Sequence, residues 1–236
     1  MAIAPYLAMT PGEMMYRLPL SARVGWMACH FSSSGTGLSN LPASLPPEAL
    51  LILDDSTPMN GHDPAQIAGQ LEACASKHGC PAILLDFQRP GQPQAEALVS
   101  FLMQALSLPV IAAKDYARHC GGVFLPPVPA DVPLREYLAP WQGRDIWLEA
   151  ALDALEITLT EQGAAAVPLS GREAREEKGF SDSRLHCHYR CKVQENTAVF
   201  TLWRSPGDLS SLLEEAATLG VTAAVGLYQE LFPYLS

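Results

Sequence analysis

The sequence predicts an α/β fold: a distorted or incomplete (β/α)8 TIM-type barrel that carries a β-hairpin insertion. Three observations predict it. Short apolar runs recur along the 236 residues, several of them ending in polar residues. Helical patterns fall between many of these runs, and alternation of the two suits a parallel sheet covered by helices. No Gly-rich phosphate turn follows the first run, so the signature of the competing open, doubly wound sheet is missing.

The runs are "VGWMACH" (24–30), "ALLILDD" (49–55), "AILLDF" (82–87), "PVIAAKD" (109–115), "GVFLPP" (122–127), "DIWLEAAL" (145–152), "AVFTLWR" (198–204) and "TAAVGLY" (222–228). Continuous apolar runs of this length suit strands buried on both faces. Between the second and third, "DPAQIAGQLEACASKHG" opens on Asp63 as a cap with Pro64 at the first helical position, and it stops at Gly79. "PQAEALVSFLMQALS" follows the third run as a second helix. "SPGDLSSLLEEAATLG" follows the seventh and ends at Gly220. The links after the fourth and fifth runs are too short or too Pro-rich for full helices. The link after the first, "FSSSGTGLSNLPASLPPE", reads as an irregular loop.

One domain, 1–236, is expected, with 153–197 as an insertion. "LEITLTEQGAAAVPL" reads as a hairpin about Gln162-Gly163, and "RLHCHYRCKVQENTAVFTLWR" as another that turns near Glu195-Asn196. A charged segment, 171–183, joins them. Within "LHCHYRC" (185–191) a strand would put His186, His188 and Arg190 on one face and Cys187, Tyr189 and Cys191 on the other. The two cysteines would then stand roughly 13 Å apart at ~3.3 Å per residue, too far to share a metal or a disulfide. A strand is therefore the expected reading of this stretch.

Composition narrows the partners. The net charge is -10 and the pI about 5.0, a balance that argues against nucleic acid and anionic membrane surfaces. Six of the fifteen basic residues lie between 172 and 192, interleaved with Glu173, Glu176, Glu177 and Asp182 as on a solvated loop. No run reaches the ~18 apolar residues of a membrane span, and the first residues lack a secretory pattern, so a cytoplasmic location is expected. Six dispersed cysteines form no disulfide framework. No cofactor and no metal are expected. The oligomeric state is not readable.

"HGCPAILLDFQRPG" (78–91) resembles the signature of the family-eighteen glycoside hydrolases, the chitinase-like barrels. There a strand runs into Asp-x-Asp-x-Glu, then an aromatic, a proline and a helix. Asp86 falls on the last Asp, Phe87 on the aromatic, Gln88 on the catalytic Glu and Pro90 on the proline, while Leu84 stands where the preceding Asp belongs. "LGVTAAVGLYQEL" resembles the family's last strand, with Tyr228 near its substrate-stacking Trp. The signature strand counts as third here, whereas the family has it fourth. The resemblance implies a small sugar ligand, and the departures imply that chitinase-type chemistry is absent or diverged. In that chemistry the Glu protonates the leaving oxygen, and Gln has no proton to give.

A barrel works from the C-terminal ends of its strands. By that rule Asp54, Asp86 and Glu149 are the candidate catalytic residues, paired carboxylates being what acid–base chemistry needs. Asp55, Gln88, Arg89, Tyr228, Gln229 and Glu230 are candidate ligand-binding residues. Glu149 stands out because a charge directly after "IWL" is costly unless paired or used. The competing reading of each is an ion pair or a turn cap at the barrel rim. Two other functions stay open: a structural or protein-interaction barrel that uses the hairpins, and a metal-dependent hydrolase using His62, His186 or His188. "NGHDP" (60–64) reads more simply as a loop ending in a helix cap. Trp141 and Trp147 suit either sugar stacking or core packing.

Overall fold

The computed structural model of the chain describes residues 3–16, 18, 22–59, 61–169 and 179–232. Eight parallel strands form a barrel: β1 (Tyr6–Met9), β2 (Arg23–Phe31), β4 (Leu50–Asp54), β5 (Ile83–Asp86), β6 (Val110–Ala113), β7 (Gly122–Leu125), β8 (Asp145–Glu149) and β14 (Val221–Leu227). They neighbour one another in the order β1-β14-β8-β7-β6-β5-β4-β2, and pairing of β1 with β2 closes the ring. A two-residue strand, β3 (Leu38–Ser39), adds antiparallel to the end of β2.

Two strand assignments change. The run 198–204, expected in the barrel, is β13 (Thr197–Trp203) of a separate antiparallel sheet. Its place in the barrel is taken by β1, four residues following Pro5 that carry little sequence signal. Counting β1, the strand with the chitinase-like signature is the fourth of the barrel, so the apparent shift in strand number disappears.

The apolar runs are continuous because both faces are buried. Leu51, Leu53, Ile83 and Leu85 point outward into the cluster under helices α1 (Pro64–His78) and α2 (Pro93–Ala105). Leu50, Ile52, Ala82, Leu84, Ile111, Phe124, Ala223 and Val225 point inward and fill the lumen. Trp147 is also inside, stacked on Tyr6 with ring centroids 5.9 Å apart, and this settles it as core rather than a sugar platform. Trp141 lies half-buried against the outer core. At β7, Gly122 makes room for the Ile111 side chain, whose Cδ1 would lie 2.2 Å from a Cβ there.

The helices form where their caps direct. Asp63 accepts the Ala65 N–H at 3.0 Å with Pro64 behind it, and Gly79 ends α1 at φ 64. The barrel is distorted as expected. Short turns replace helices after β1 and β6, the long loop 32–49 with β3 follows β2, and only the five-residue α3 (Leu134–Leu138) follows β7. Helix α4 (Pro206–Thr218) begins with a reciprocal Ser205–Asp208 capping box, and α5 (Tyr228–Leu231) is a single turn. Among the described residues no helix is long and apolar enough to cross a membrane.

Between β8 and α4 stands the second sheet. It contains β9 (Ala154–Thr160), β10 (Gly163–Leu169), β11 (Phe180–Asp182), β12 (Cys187–Gln194) and β13, in the order β10-β9-β13-β12-β11. Both expected hairpins are present. The joining segment 171–183 lies largely outside the described residues. Cross-strand register puts three rows on one face: Ala164–Leu159–Ala198–Val193, Ala166–Ile157–Phe200–Cys191 and Pro168–Leu155–Leu202–Tyr189–Phe180. Every member is apolar or weakly polar. The opposite face is mixed: Thr158, Lys192, Glu156, Thr201, Arg190 and His188 alternate there with Ala165, Val199, Val167, Leu169, Ala154 and Trp203.

The base of this sheet is held to the barrel side by three basic residues. His188 Nδ1 lies 2.7 Å from Asp208, and His186 Nε2 lies 2.8 Å from Glu215, both on α4. Arg204 is 1% exposed and donates to the carbonyls of Val128, Pro129 (3.2 Å), His186 (3.2 Å) and Leu185 (3.5 Å). The "LHCHYRC" stretch is a strand from Cys187 onward, whereas His186 sits just before it at φ 48. His188 and Arg190 share a face as expected; His186 precedes the strand and, like His188, reaches a carboxylate of α4.

Candidate functional site

Strand alternation decides which polar residues reach the mouth. Leu84 and Asp86 both point inward on β5, and the register sets Asp54 opposite Asp86. Glu149 closes β8 on the same end. Asp86 and Glu149 together line a cavity with Leu227 at its rim that runs down to Met27, Ile52, Leu84, Phe124 and Val225. They share a second, more polar recess with Gln88, Lys114, Asp115 and Pro126. The mouth therefore brings together Asp54, Asp86, Gln88 and Glu149.

Electrostatics there are set by crowded carboxyls. Burial pushes the Asp86 carboxyl above its usual range, and the charges of Asp54 and Asp55 push the same way. The hydrogen bond that Gln88 Nε2 donates to Asp86 Oδ1 opposes them. Glu149 is pushed up to about 7, first by burial and then by the charges of Asp86, Asp153 and Glu230. At neutral pH Glu149 is therefore poised between donor and acceptor forms, whereas Asp54 is turned to a turn-closing job, accepting the Ser56 N–H at 2.8 Å.

The raised value of Glu149 has a stability consequence. The folded chain holds this proton up to about pH 7, and a freely solvated Glu releases it near 4.5. Folding stability should thus fall as pH rises from about 4.5 to about 7 and stay lower above it. Glu149→Gln removes the penalty. It is expected to stabilise the protein by ~1–3 kcal/mol at alkaline pH and by almost nothing at mildly acidic pH. Urea unfolding at both pH values checks this; an equal effect at the two would reject it.

Other expected site residues are engaged elsewhere. Asp55 is 4% exposed, and its two oxygens accept the backbone N–H groups of Gln88 (2.9 Å) and Arg89 (3.1 Å). It braces the loop after β5 from beneath and has no face toward a ligand. Arg89 is tied back, donating to the Ser56 carbonyl at 2.9 Å, and its own carbonyl accepts from Tyr116. Tyr228 is 8% exposed and stacks between Tyr16 and Phe232, with centroids 5.8 and 4.8 Å away. It belongs to the outer core, and the preceding Leu227 reaches the cavity instead. Gln229 is exposed and bonds Glu13. Glu230 accepts the Leu152 N–H and holds the exit of β8, and its charge acts on Glu149.

Leu227, Lys114 and Asp115 also line the mouth, and Asp153 acts on it through its charge on Glu149. Lys114 and Asp115 close the apolar run 109–115, Leu227 was hidden by the turn into α5, and Asp153 by its position past β8.

The three histidines of the metal reading each have another partner. His62 Nε2 lies 3.0 Å from the Ser32 carbonyl with its ring against Phe31, and the other two histidines of that reading hold α4. Among the described residues no three His, Cys, Asp or Glu side chains gather to hold an ion.

No family model matches the sequence, and no curated protein matches it. Solved structures do. The spore cortex-lytic enzyme SleL of Bacillus cereus matches with a TM-score of 0.59 at 12% identity, over 95% of this chain and 70% of that one. SleL of Bacillus megaterium QM B1551 gives 0.54 at 12% identity, over 86% and 63%. A chitinase from Chromobacterium violaceum ATCC 12472 gives 0.51 at 10% identity, over 86% and 85%. The chain has the fold of the chitinase-like barrels that residues 78–91 resemble.

Proposed function

We propose that this chain is a carbohydrate-active, glycoside hydrolase-like barrel protein that binds a sugar chain at its mouth without chitinase-type turnover. The observation that carries this reading is the inward face of β5 and its exit loop. There Leu84, Asp86 and Gln88 stand where the resemblance expects two carboxylates and an acid. The fold of proteins described as a chitinase and as cortex-lytic enzymes supports the sugar; the substitutions argue against their chemistry. A glycosidic oxygen needs a proton as it leaves, and the Gln88 amide has none to release near neutral pH.

Binding survives this loss. Gln88 offers a donor and an acceptor, Asp86 accepts from a sugar hydroxyl, and Glu149 in its protonated form donates. Met27, Phe124 and Leu227 supply apolar wall for a ring face. Calorimetry with N-acetylglucosamine oligomers should show saturable binding, weakened about tenfold by Asp86→Ala, the scale of a charged hydrogen bond worth ~1.5 kcal/mol. Reducing-end release should stay at the uncatalysed level. Turnover by the unmodified chain would reject the proposal. Absence of any binding would favour the other reading, a barrel kept as an interaction scaffold.

A further inference from the structure

We propose that the apolar face of the second sheet is a self-association surface, covered in solution by the same face of a second copy about a two-fold axis. The face is made of the three cross-strand rows described above. Near its base Ile157, Tyr189 and Phe200 pack partly against the cluster of Ala130, Cys187 and Leu202, and away from that contact the face is bare. Val193 is 72% exposed, Phe180 70% and Leu159 39%; of the whole face only Leu202 is buried. A sheet needs one apolar face covered, and monomers rarely leave so contiguous a patch open. The charged residues within strands β9 and β12, Glu156, Arg190 and Lys192, stand on the opposite face.

Charge and shape select a second copy as the occupant. Each chain carries a net charge of -10, so two copies repel except where their surfaces hold no charge. Among the described residues this face holds none, and it is therefore complementary to itself, as an isologous contact requires. Edge strand β10, "GAAAVPL", is exposed along its length and lacks the charged residues that usually guard a free edge. Five strands ~4.8 Å apart and three rows ~7 Å apart give roughly 400 Å² in projection. The relief of the side chains and the β10 edge bring the accessible area toward the ~600 Å² per partner at which specific interfaces begin. The resulting dimer is weak and concentration-dependent. The sugar reading of the barrel mouth does not enter this argument.

Cys191 provides an internal reporter. It sits in the middle row, and it is exposed while the other five cysteines are buried. Sedimentation velocity from micromolar to submillimolar concentration should show a shift from monomer to dimer, and the rate at which a maleimide labels Cys191 should fall over the same range. Leu159→Glu combined with Val193→Glu should abolish both effects; because both side chains are exposed, the unfolding midpoint should hold. Lys192→Glu, on the opposite face, should leave the dimer intact. A monomer at every concentration overturns the proposal, as does a dimer that persists in the double variant. Protection of Cys191 by N-acetylglucosamine oligomers in dilute monomer also overturns it, assigning the face to sugar.

Discussion

Arg204→Ala is expected to cost the protein ~3–5 kcal/mol, the range for removing one partner of a buried charged network. The guanidinium is 1% exposed and meets four backbone carbonyls from two separate segments, 128–129 and 185–186. Burial pulls its pKa down, the charge of Asp153 pulls it back up, and an arginine stays charged under such opposing pressures. Its removal strands those carbonyls without donors and leaves the Asp153 carboxyl, which burial already pushes up, without the nearby positive charge that opposes this. Arg204→Lys should rescue little, because one ammonium cannot serve acceptors spread around a planar fork. The loss should be local in origin: amide exchange should speed first in β12 and β13, with β4 to β6 still protected. Urea unfolding that shows a loss below ~1 kcal/mol would mean the sheet is held by its packing and its two histidine–carboxylate pairs.

That junction was hard to read in the sequence. "AVFTLWR" looks like a barrel strand because its end, Thr201 to Arg204, is buried against the barrel side as deeply as a true barrel strand is. The alternation that marks a one-sided sheet is legible only in the rows its partners complete. Strand β1 escaped for the opposite reason. Its four residues, Tyr6–Met9, lie between Pro5 and Pro11 and give no periodicity, though both their faces are buried. The other seven barrel strands were legible because burial on two faces forces long apolar runs. In the mouth, Asp86 and Glu149 were legible as charges at the ends of such runs. Asp54 and Asp55 were not separable: adjacent residues face opposite ways, and only the register places Asp54 beside Asp86 while Asp55 goes under the loop. Tyr228 misled because the chain leaves β14 one residue early for the turn into α5, which sends its ring outward between Tyr16 and Phe232.

Leu84→Asp combined with Gln88→Glu should trade stability for activity. Leu84 is 1% exposed within the lumen, beside Ile52 and Phe124 and below Asp86 and Glu149. A carboxyl there must be desolvated next to two others, so about 3–5 kcal/mol should be lost at neutral pH. Much of that loss should be recovered in acid, where the added carboxyl takes up a proton, since a group whose folded pKa is raised destabilises only above its unfolded value. The second change restores a group able to protonate a leaving oxygen. It sits at an exposed position and already has Asp86 as a hydrogen-bond neighbour. General acid catalysis is typically worth ~10²–10⁴ in rate, and slow release of N-acetylglucosamine from its oligomers should appear in the double variant. Gln88→Glu alone should give less, because in the resembled chemistry the substrate's acetamido group attacks under the guidance of the Asp that Asp86 matches, and Leu84 leaves that residue without the carboxylate that tunes it. Two results would count against the argument. Full stability in the double variant would mean position 84 is not the closed lumen position that β5 gives it. Equal activity in the single and double variants would mean the lumen carboxylate plays no part, and that Glu149, already lifted toward neutrality, takes its place beside Asp86.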